Sequence, residues 1–334
     1  MELAIGGVLK TTNEDFLVEE IPLYLPSNEG QHIYLLIKRS GLSTKEIVDR
    51  LKKIFKVHET DIGFAGLKDK NATVTQWFSL SLGANAQLTQ VQQRIEDEFS
   101  ELTILEISKH TNKLKNSHLI GNKFTLTLRD CKDGALETAN LLKNEILKNG
   151  IPNYYGPQRF GSKQTNQLVG KEILLKTKKE KRHWVRKLML SAYQSHLFNI
   201  WLSKRINNGQ FSTLVEGDLL QSTQQQRPFP FDPLKEHIEE FKRGEISFTG
   251  PMYGAKVSTP SSKALEIENE ILELENVTME NFTLAKLPGS RRLAHIFLNQ
   301  LDITATGNDI TLSFTLSKGS YATSLVREFS KNDH

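Results

Sequence analysis

Gly63 to Leu80, GFAGLKDKNATVTQWFSL, is the stretch whose reading decides the fold. Gly63 and Gly66 bracket a short loop that carries one carboxylate, Asp69, between two ammonium groups, Lys68 and Lys70. Turn residues then give way to Val74–Leu80, where Thr75, Trp77 and Phe78 favour a strand. A single acid on a tight loop beside a strand suits catalysis, because the rigid element aims the group. A neighbouring cation would hold such an acid below its usual pKa range, ionised as nucleophile or base. A bare Lys-Asp-Lys is more commonly a solvated turn, so the rest of the chain has to support the reading.

Outward from this stretch, elements of both kinds are expected. Lys10–Glu20, KTTNEDFLVEE, reads as an edge strand entered from a polar turn, with Phe16 and Val18 on one side. His32–Lys38 is an apolar strand. Ser43 and Glu46 form a capping box for a helix in which Ile47, Val48, Leu51, Ile54 and Phe55 recur at helical spacing. A helix over Leu88–Phe99 and a strand over Leu102–Ser108 follow. Phe124, Leu126 and Leu128 then alternate in a half-buried strand, and Ala135–Leu147 is a helix ended by Asn149-Gly150.

From Pro152 to Pro288 the composition changes. Helices are expected over Leu168–Lys176 and Trp184–Leu202, the second with Trp184, Val185, Leu188, Met189, Ala192, Tyr193, Ile200 and Trp201 as its core stripe. Ser195 and His196 point apart on it and make no catalytic pair. Strand-like pieces at Leu214–Leu220 and Glu245–Phe248, loops at Gln221–Pro233 and Thr249–Gly254, and an acidic helix over Ala264–Leu274 complete this region. Ile310, Leu312, Phe314 and Leu316 alternate in a last strand before a turn into a helix.

A chain of 334 residues exceeds one ordinary core, so two domains are expected. No apolar run reaches the roughly 18 residues of a membrane span. The first residues, MELAIGGVLKTTNEDF, lack the apolar segment of a signal peptide, and the single cysteine, Cys131, excludes an internal disulfide. A cytoplasmic protein is the expectation. Net charge is only +4, but cations cluster at Lys109–Arg129 and again at Lys176–Lys187, which suggests a localised face for a polyanion. Walker A, H-E-x-x-H and G-x-G-x-x-G patterns do not occur, so no metal or nucleotide cofactor is implied.

Several of these segments resemble the TruD family of tRNA pseudouridine synthases. Phe64, Ala65, Gly66, Lys68, Asp69, Lys70, Ala72 and Gln76 fit that family's F-A-G-x-K-D-K-x-A-x-T-x-Q segment, with Val74 where Thr is usual. Lys10, Glu14, Asp15, Phe16, Val18 and Glu20 fit K-x-x-x-E-D-F-x-V-x-E. Gly121-Asn122 through Leu128-Arg129 fits G-N-x-F-x-x-x-L-R. Asn153–Gly161 is similar to N-Y-F-G-x-Q-R-F-G with Tyr155 in place of Phe, and Gly319–Glu328 to the family's G-S-x-A-T-x-x-x-R-E ending, with Tyr321 where Phe is usual.

The resemblance implies an α+β fold: a mixed, mainly antiparallel sheet flanked by helices, forming a discontinuous catalytic domain over 1–151 and 289–334, with an inserted α/β domain over 152–288. It implies isomerisation of a uridine in tRNA, at position thirteen, to pseudouridine. The uracil would leave C1′ of its ribose, rotate, and rejoin through C5. Asp69 would be the catalytic aspartate, at C1′ or as a base on the sugar, with Lys10 as its support. Phe16, Asn122 and Tyr321 would bind the target nucleotide, and either aromatic could stack on the flipped base. Lys68, Lys70, Arg129 and Arg159 would position RNA. The implied partner is tRNA, with no membrane and no protein partner. A non-catalytic RNA-binding protein or tRNA chaperone on the same fold is the alternative, and a hydrolase using Asp69 with a second acid a weaker one.

Overall fold

The computed structural model describes residues 3–222 and 227–332. In chain order the elements are β1 (Gly6–Leu9), β2 (Phe16–Pro22), β3 (His32–Ser40), α1 (Thr44–Phe55), β4 (Ile62–Phe64), β5 (Thr73–Ser81), α2 (Leu88–Glu98), β6 (Leu102–His110), β7 (Leu119–Cys131) and α3 (Ala135–Asn149). They continue with β8 (Ile151–Pro152), α4 (Asn166–Leu174), α5 (His183–Asn207), β9 (Leu219–Ser222), β10 (Phe229–Pro230), α6 (His237–Lys242), β11 (Ile246–Met252), α7 (Ser262–Leu274), α8 (Met279–Leu284) and β12 (Ser290–Leu293). The last are β13 (His295–Ile296), β14 (Leu301–Thr306), β15 (Asp309–Ser317) and α9 (Ala322–Ser330).

Two compact units result. The first comprises Met1–Lys143, Leu298–Ala322 and Phe329–His334, and the second Asn144–Phe297 and Thr323–Glu328. The first holds a nine-stranded sheet ordered β14-β15-β7-β2-β5-β3-β6, with β1 also on β7 and β4 on β5. Its pairings are antiparallel except β2 with β5, which gives the mixed, mainly antiparallel sheet expected. The alternating residues Ile33, Leu35 and Ile37 of β3 pack against Ile47, Val48, Leu51 and Ile54 of α1 and Val91 and Ile95 of α2. Burying each such side chain is worth about 1.5–3 kcal/mol relative to exposure, so the amphipathic helices are held by this face rather than by propensity.

Phe16–Pro22 is a central strand, not the edge strand expected. The polar run before it forms a short 3-10 turn, Asn13–Asp15, and both edges of β2 are then occupied, by β7 and by β5. The inward residues Phe16, Val18 and Glu20 are all buried.

In the second unit β10-β9-β11-β12 form a four-stranded sheet, and β13 pairs with β8. The expected loop over Thr249–Gly254 is largely strand: Thr249, Gly250, Pro251 and Met252 pair with Leu293, Arg292, Arg291 and Ser290. Gly250 does not make a turn; a Cβ there would lie 2.3 Å from the Trp201 ring, so the glycine admits that indole. The strand expected over Leu214–Leu220 is instead Leu219–Ser222, and part of the loop expected over Gln221–Pro233 lies outside the described residues. The core stripe of α5 holds for Val185, Ala192, Tyr193 and Trp201, which are buried, but Trp184 is 67% and Leu188 38% exposed. Trp184 precedes Val185 by one residue and so lies about 100° round the helix from it.

His295 sits in the core of this unit. Its Nε2 donates to the Phe211 carbonyl at 2.9 Å, its Nδ1 lies 2.9 Å from Ser247 Oγ, and its ring stacks between Phe211 and Phe297. Burial depresses its pKa from 6.5 to about 3. Below pH 6.5 the unfolded chain therefore takes up a proton here that the folded chain refuses, so stability falls with acid through that window. In denaturant titrations between pH 6.5 and 4.5 His295 should contribute a loss of about 1.4 kcal/mol per pH unit in the steep range. That loss is read as the difference in slope from His295→Gln, because Glu268, raised by burial to about 7, adds stability with acid over the same window. A slope in His295→Gln equal to that of the unaltered chain would refute the assignment. Among the described residues no helix is long and apolar enough to cross a membrane.

Candidate active site

The loop between β4 and β5 is fastened before it carries any chemistry. Gly66 has φ +100°, a conformation that L side chains rarely adopt. Gly63 is needed for a different reason: it lies within β4, and a Cβ there would come 2.3 Å from the Leu114 carbonyl oxygen. Gln76 Nε2 donates to the Gly66 carbonyl at 2.8 Å, and the Lys68 amide donates to Thr44 Oγ1 at 3.0 Å. The Thr44 hydroxyl also accepts from Arg39 Nη2 at 3.1 Å and donates to Gln76 Oε1 at 3.2 Å. Thr44, Arg39 and Gln76 are at most 2% exposed, so these bonds are little diluted by water.

The two lysines that flank Asp69 are tied to other acids. Lys68 Nζ donates to Glu20 Oε2 at 2.8 Å, with both side chains buried, and Glu20 Oε1 accepts from the Trp77 amide at 3.3 Å. Burial pushes the Glu20 carboxyl up, and the Lys68 ammonium opposes this. Lys70 Nζ donates to Glu46 Oε1 at 2.7 Å. Hydrogen bonds from Lys70, and then from Ser43, hold Glu46 at about 2. Glu46 is also the N3 residue of the α1 capping box, accepting from the Ser43 amide at 2.7 Å. The start of α1 thus anchors the loop through Thr44 and through Glu46.

Thr44→Val keeps the side-chain shape and removes every bond of the hydroxyl. If the loop aims a reacting group, kcat should fall about tenfold to a hundredfold, with KM little changed. A fall in thermal stability with unaltered kcat would make Thr44 merely structural.

Lys10 follows β1 with φ 61°, in the left-handed region, and its Nζ reaches Asp69 Oδ2 at 3.2 Å. The same ammonium lies 4.1 Å above the centre of the Phe16 ring. Phe16 meets the Phe124 ring edge-on at 6.2 Å and is 3% exposed, so it forms a wall beneath Lys10 rather than a free platform. The side chain of Asp69 is 39% exposed. Asn122 pairs with Glu20 in the β2–β7 ladder, as Phe124 pairs with Val18, so its side chain lies on the sheet face of Glu20. Its Oδ1 is buried without a hydrogen-bond partner. A buried acceptor of this kind costs about 1–3 kcal/mol, which makes it available to a ligand donor. Tyr321 is half-buried in the loop between β15 and α9, and Leu316 of β15 pairs with Asn122.

Lys10, Phe16, Asp69, Asn122 and Tyr321 are therefore all carried by the first unit. Arg129, in contrast, is bound to two acids. It contacts Asp15 Oδ1 at 2.6 Å and Asp309 Oδ2 at 2.6 Å, which ties β7 to β15 and to the turn before β2. Burial pushes Asp15 up, but bonds from Arg129 and the Thr12 amide outweigh it and leave the carboxyl lowered. Arg159 belongs to the second unit. Its Nε donates to Ser195 Oγ at 2.9 Å, its Nη2 to Ser191 Oγ, and its guanidinium lies 5.5 Å from the Tyr155 ring centre. Sequence reasoning missed the support formed by Glu20, Arg39 and Thr44. One signal was present: Glu20 continues the inward alternation of Phe16 and Val18, so an inward charge needed a partner. Among the described residues no three His, Cys, Asp or Glu side chains converge as metal ligands.

The family model described as tRNA pseudouridine synthase D (TruD) matches residues 2–183 and 182–329. The tRNA pseudouridine synthase D of Thermus thermophilus is 36% identical over 327 residues, covering 98% of this chain and 89% of that protein. That of Sulfurimonas denitrificans is 34% identical over 357 residues, covering 96% and 94%. A crystal structure from Methanosarcina mazei that carries the TruD name superposes with a TM-score of 0.79 over 99% of this chain and 94% of that one. At 23% identity it speaks for the fold alone.

Proposed function

The chain belongs to the TruD family of tRNA pseudouridine synthases, and from that premise we propose that Asp69 converts one flipped uridine of tRNA, at position thirteen, to pseudouridine. The observation that carries the proposal is the Lys10–Asp69 pair at 3.2 Å on a loop fastened from beneath. The Asp69 carboxylate acts on the ribose, as nucleophile at C1′ or as the base that takes a proton from the sugar. The N1–C1′ bond breaks, the uracil turns, and C5 bonds to C1′. The proton lost from C5 is matched by one gained at N1, so the reaction is an isomerisation and consumes no co-reactant. Lys10 orients the carboxylate and is itself seated on the Phe16 ring. The open acceptor of Asn122 receives a uracil N–H, and Tyr321 stacks on the base. Extruding the base from folded RNA is needed because C1′ is otherwise out of reach. Segments 1–151 and 289–334 are assigned to catalysis, and 152–288 to the inserted domain, which serves RNA through Arg159 and the cations of 176–187. In the first unit the charges of Lys70 and Arg129 are met by Glu46 and by Asp15 and Asp309, so both act as fastenings, while Lys68 supports the loop from within.

The test is pseudouridine mapping of tRNA transcripts incubated with the chain and with an Asp69→Asn variant. Product at position thirteen with the unaltered chain, lost in the variant, is the expected result. Product from both would refute the role of Asp69. Product from neither, with tRNA bound, would make the chain a non-catalytic RNA-binding protein.

A further inference from the structure

Seven cations lie between Lys176 and Lys187 against one acid, Glu180, and among them stands Trp184, 67% exposed at the start of α5. An indole is seldom left so open without a ligand to cover it. The neighbouring charges are largely uncommitted. Lys178 pairs with Glu172 and Arg182 with Glu180, while Arg186 reaches the Ala285 carbonyl. Lys176, Lys179, Lys181 and Lys187 are exposed and pair with no carboxylate among the described residues. On the helix, Lys187 and the exposed Leu188 lie three and four residues after Trp184 and share its face. An open aromatic ringed by cations is the arrangement that takes a stacked base while the charges take its phosphates. An anionic protein segment would need the charges but not the bare indole, so the aromatic favours nucleic acid.

We propose that Trp184 and the cations of Lys176–Lys187 form an RNA-docking surface on which one unpaired base of the tRNA stacks, apart from the base that Asp69 acts on. This rests on the reading of the chain as an enzyme of tRNA, and adds to it a second point of contact, carried by the second unit.

The three tryptophans make the test direct, because Trp77 and Trp201 are 3% and 1% exposed. Emission that responds to an external quencher therefore reports Trp184. Saturating unmodified tRNA transcript should quench that emission and shield it from acrylamide. Trp184→Ala, with an unaltered circular dichroism spectrum, should weaken tRNA binding about fivefold to a hundredfold, and Trp184→Phe should restore most of it. Changing Lys179 and Lys181 to Gln should reduce the dependence of log Kd on log salt by about one to two. Emission unmoved by tRNA, or unaltered affinity in Trp184→Ala, would overturn the proposal, as would quenching by anionic phospholipid vesicles and not by tRNA. Failure of the catalytic reading is separate: tRNA-dependent quenching in a chain that forms no pseudouridine leaves this surface standing. Pseudouridine formed with no quenching removes the surface and leaves the enzyme.

Discussion

Asp69→Asn is expected to slow pseudouridine formation roughly a thousandfold or more in single-turnover reactions with tRNA in excess of its Kd. The exchange is nearly isosteric, and the side chain is 39% exposed, so little stability is at stake. Asn can still accept from Lys10 through its carbonyl oxygen. It can neither attack a carbon effectively nor take a proton, so only the chemical step should suffer. Affinity for tRNA should hold or rise, since a negative charge is removed from a surface that meets phosphates. A rate within about tenfold of the unaltered chain would sink the assignment, because losing an essential nucleophile or base costs far more than that.

Lys68→Met should destabilise the first unit by about 3–5 kcal/mol, measured by urea unfolding near neutral pH. Lys68 and Glu20 have side-chain exposures of 6% and 0%, so removing the ammonium leaves a carboxylate with neither water nor its counter-ion. Adding Glu20→Gln should recover most of that loss. The amide keeps an acceptor for the Trp77 amide but carries no charge that needs a partner. Recovery in the double variant separates an ion-pair effect from one of side-chain volume. A loss under about 1 kcal/mol in Lys68→Met would mean the pair is wetter than its burial indicates.

Much of the first unit is legible in local pattern. Ser43 and Glu46 announce α1, and the alternations in β7 and β15 announce inward faces that the structure confirms. The Lys10–Asp69 pair came from resemblance to a family: 59 residues separate the partners, and no periodicity links them. What local reading misjudged shares one cause. The place of β2, the strand character of Thr249–Met252 and the partners of Lys68 and Lys70 are each set by what another segment presents. Polar residues before Phe16 look like an edge until β5 and β7 flank the strand. Gly250-Pro251 looks like a turn until Trp201 fills the space that glycine leaves. Lysines beside an acid look like its counter-ions until Glu20 and Glu46 lie closer to hand. Trp184 shows the converse, an apolar residue counted into a helical stripe that its angular position excludes.

The order of strands in the nine-stranded sheet has a consequence for synthesis on the ribosome. One side of β7 is covered early, by β1 and β2, but its other side waits for β15, whose Asp309–Ser317 emerges only after Asn144–Phe297, the larger segment of the second unit. At about 5–20 residues per second, the delay is roughly 10–40 s. Throughout it the nascent chain offers an open hydrogen-bonding ladder flanked by Phe124, Leu126 and Leu128. Chaperone demand should therefore peak during translation rather than after release, and nascent chains stalled before Asp309 should be the aggregating species.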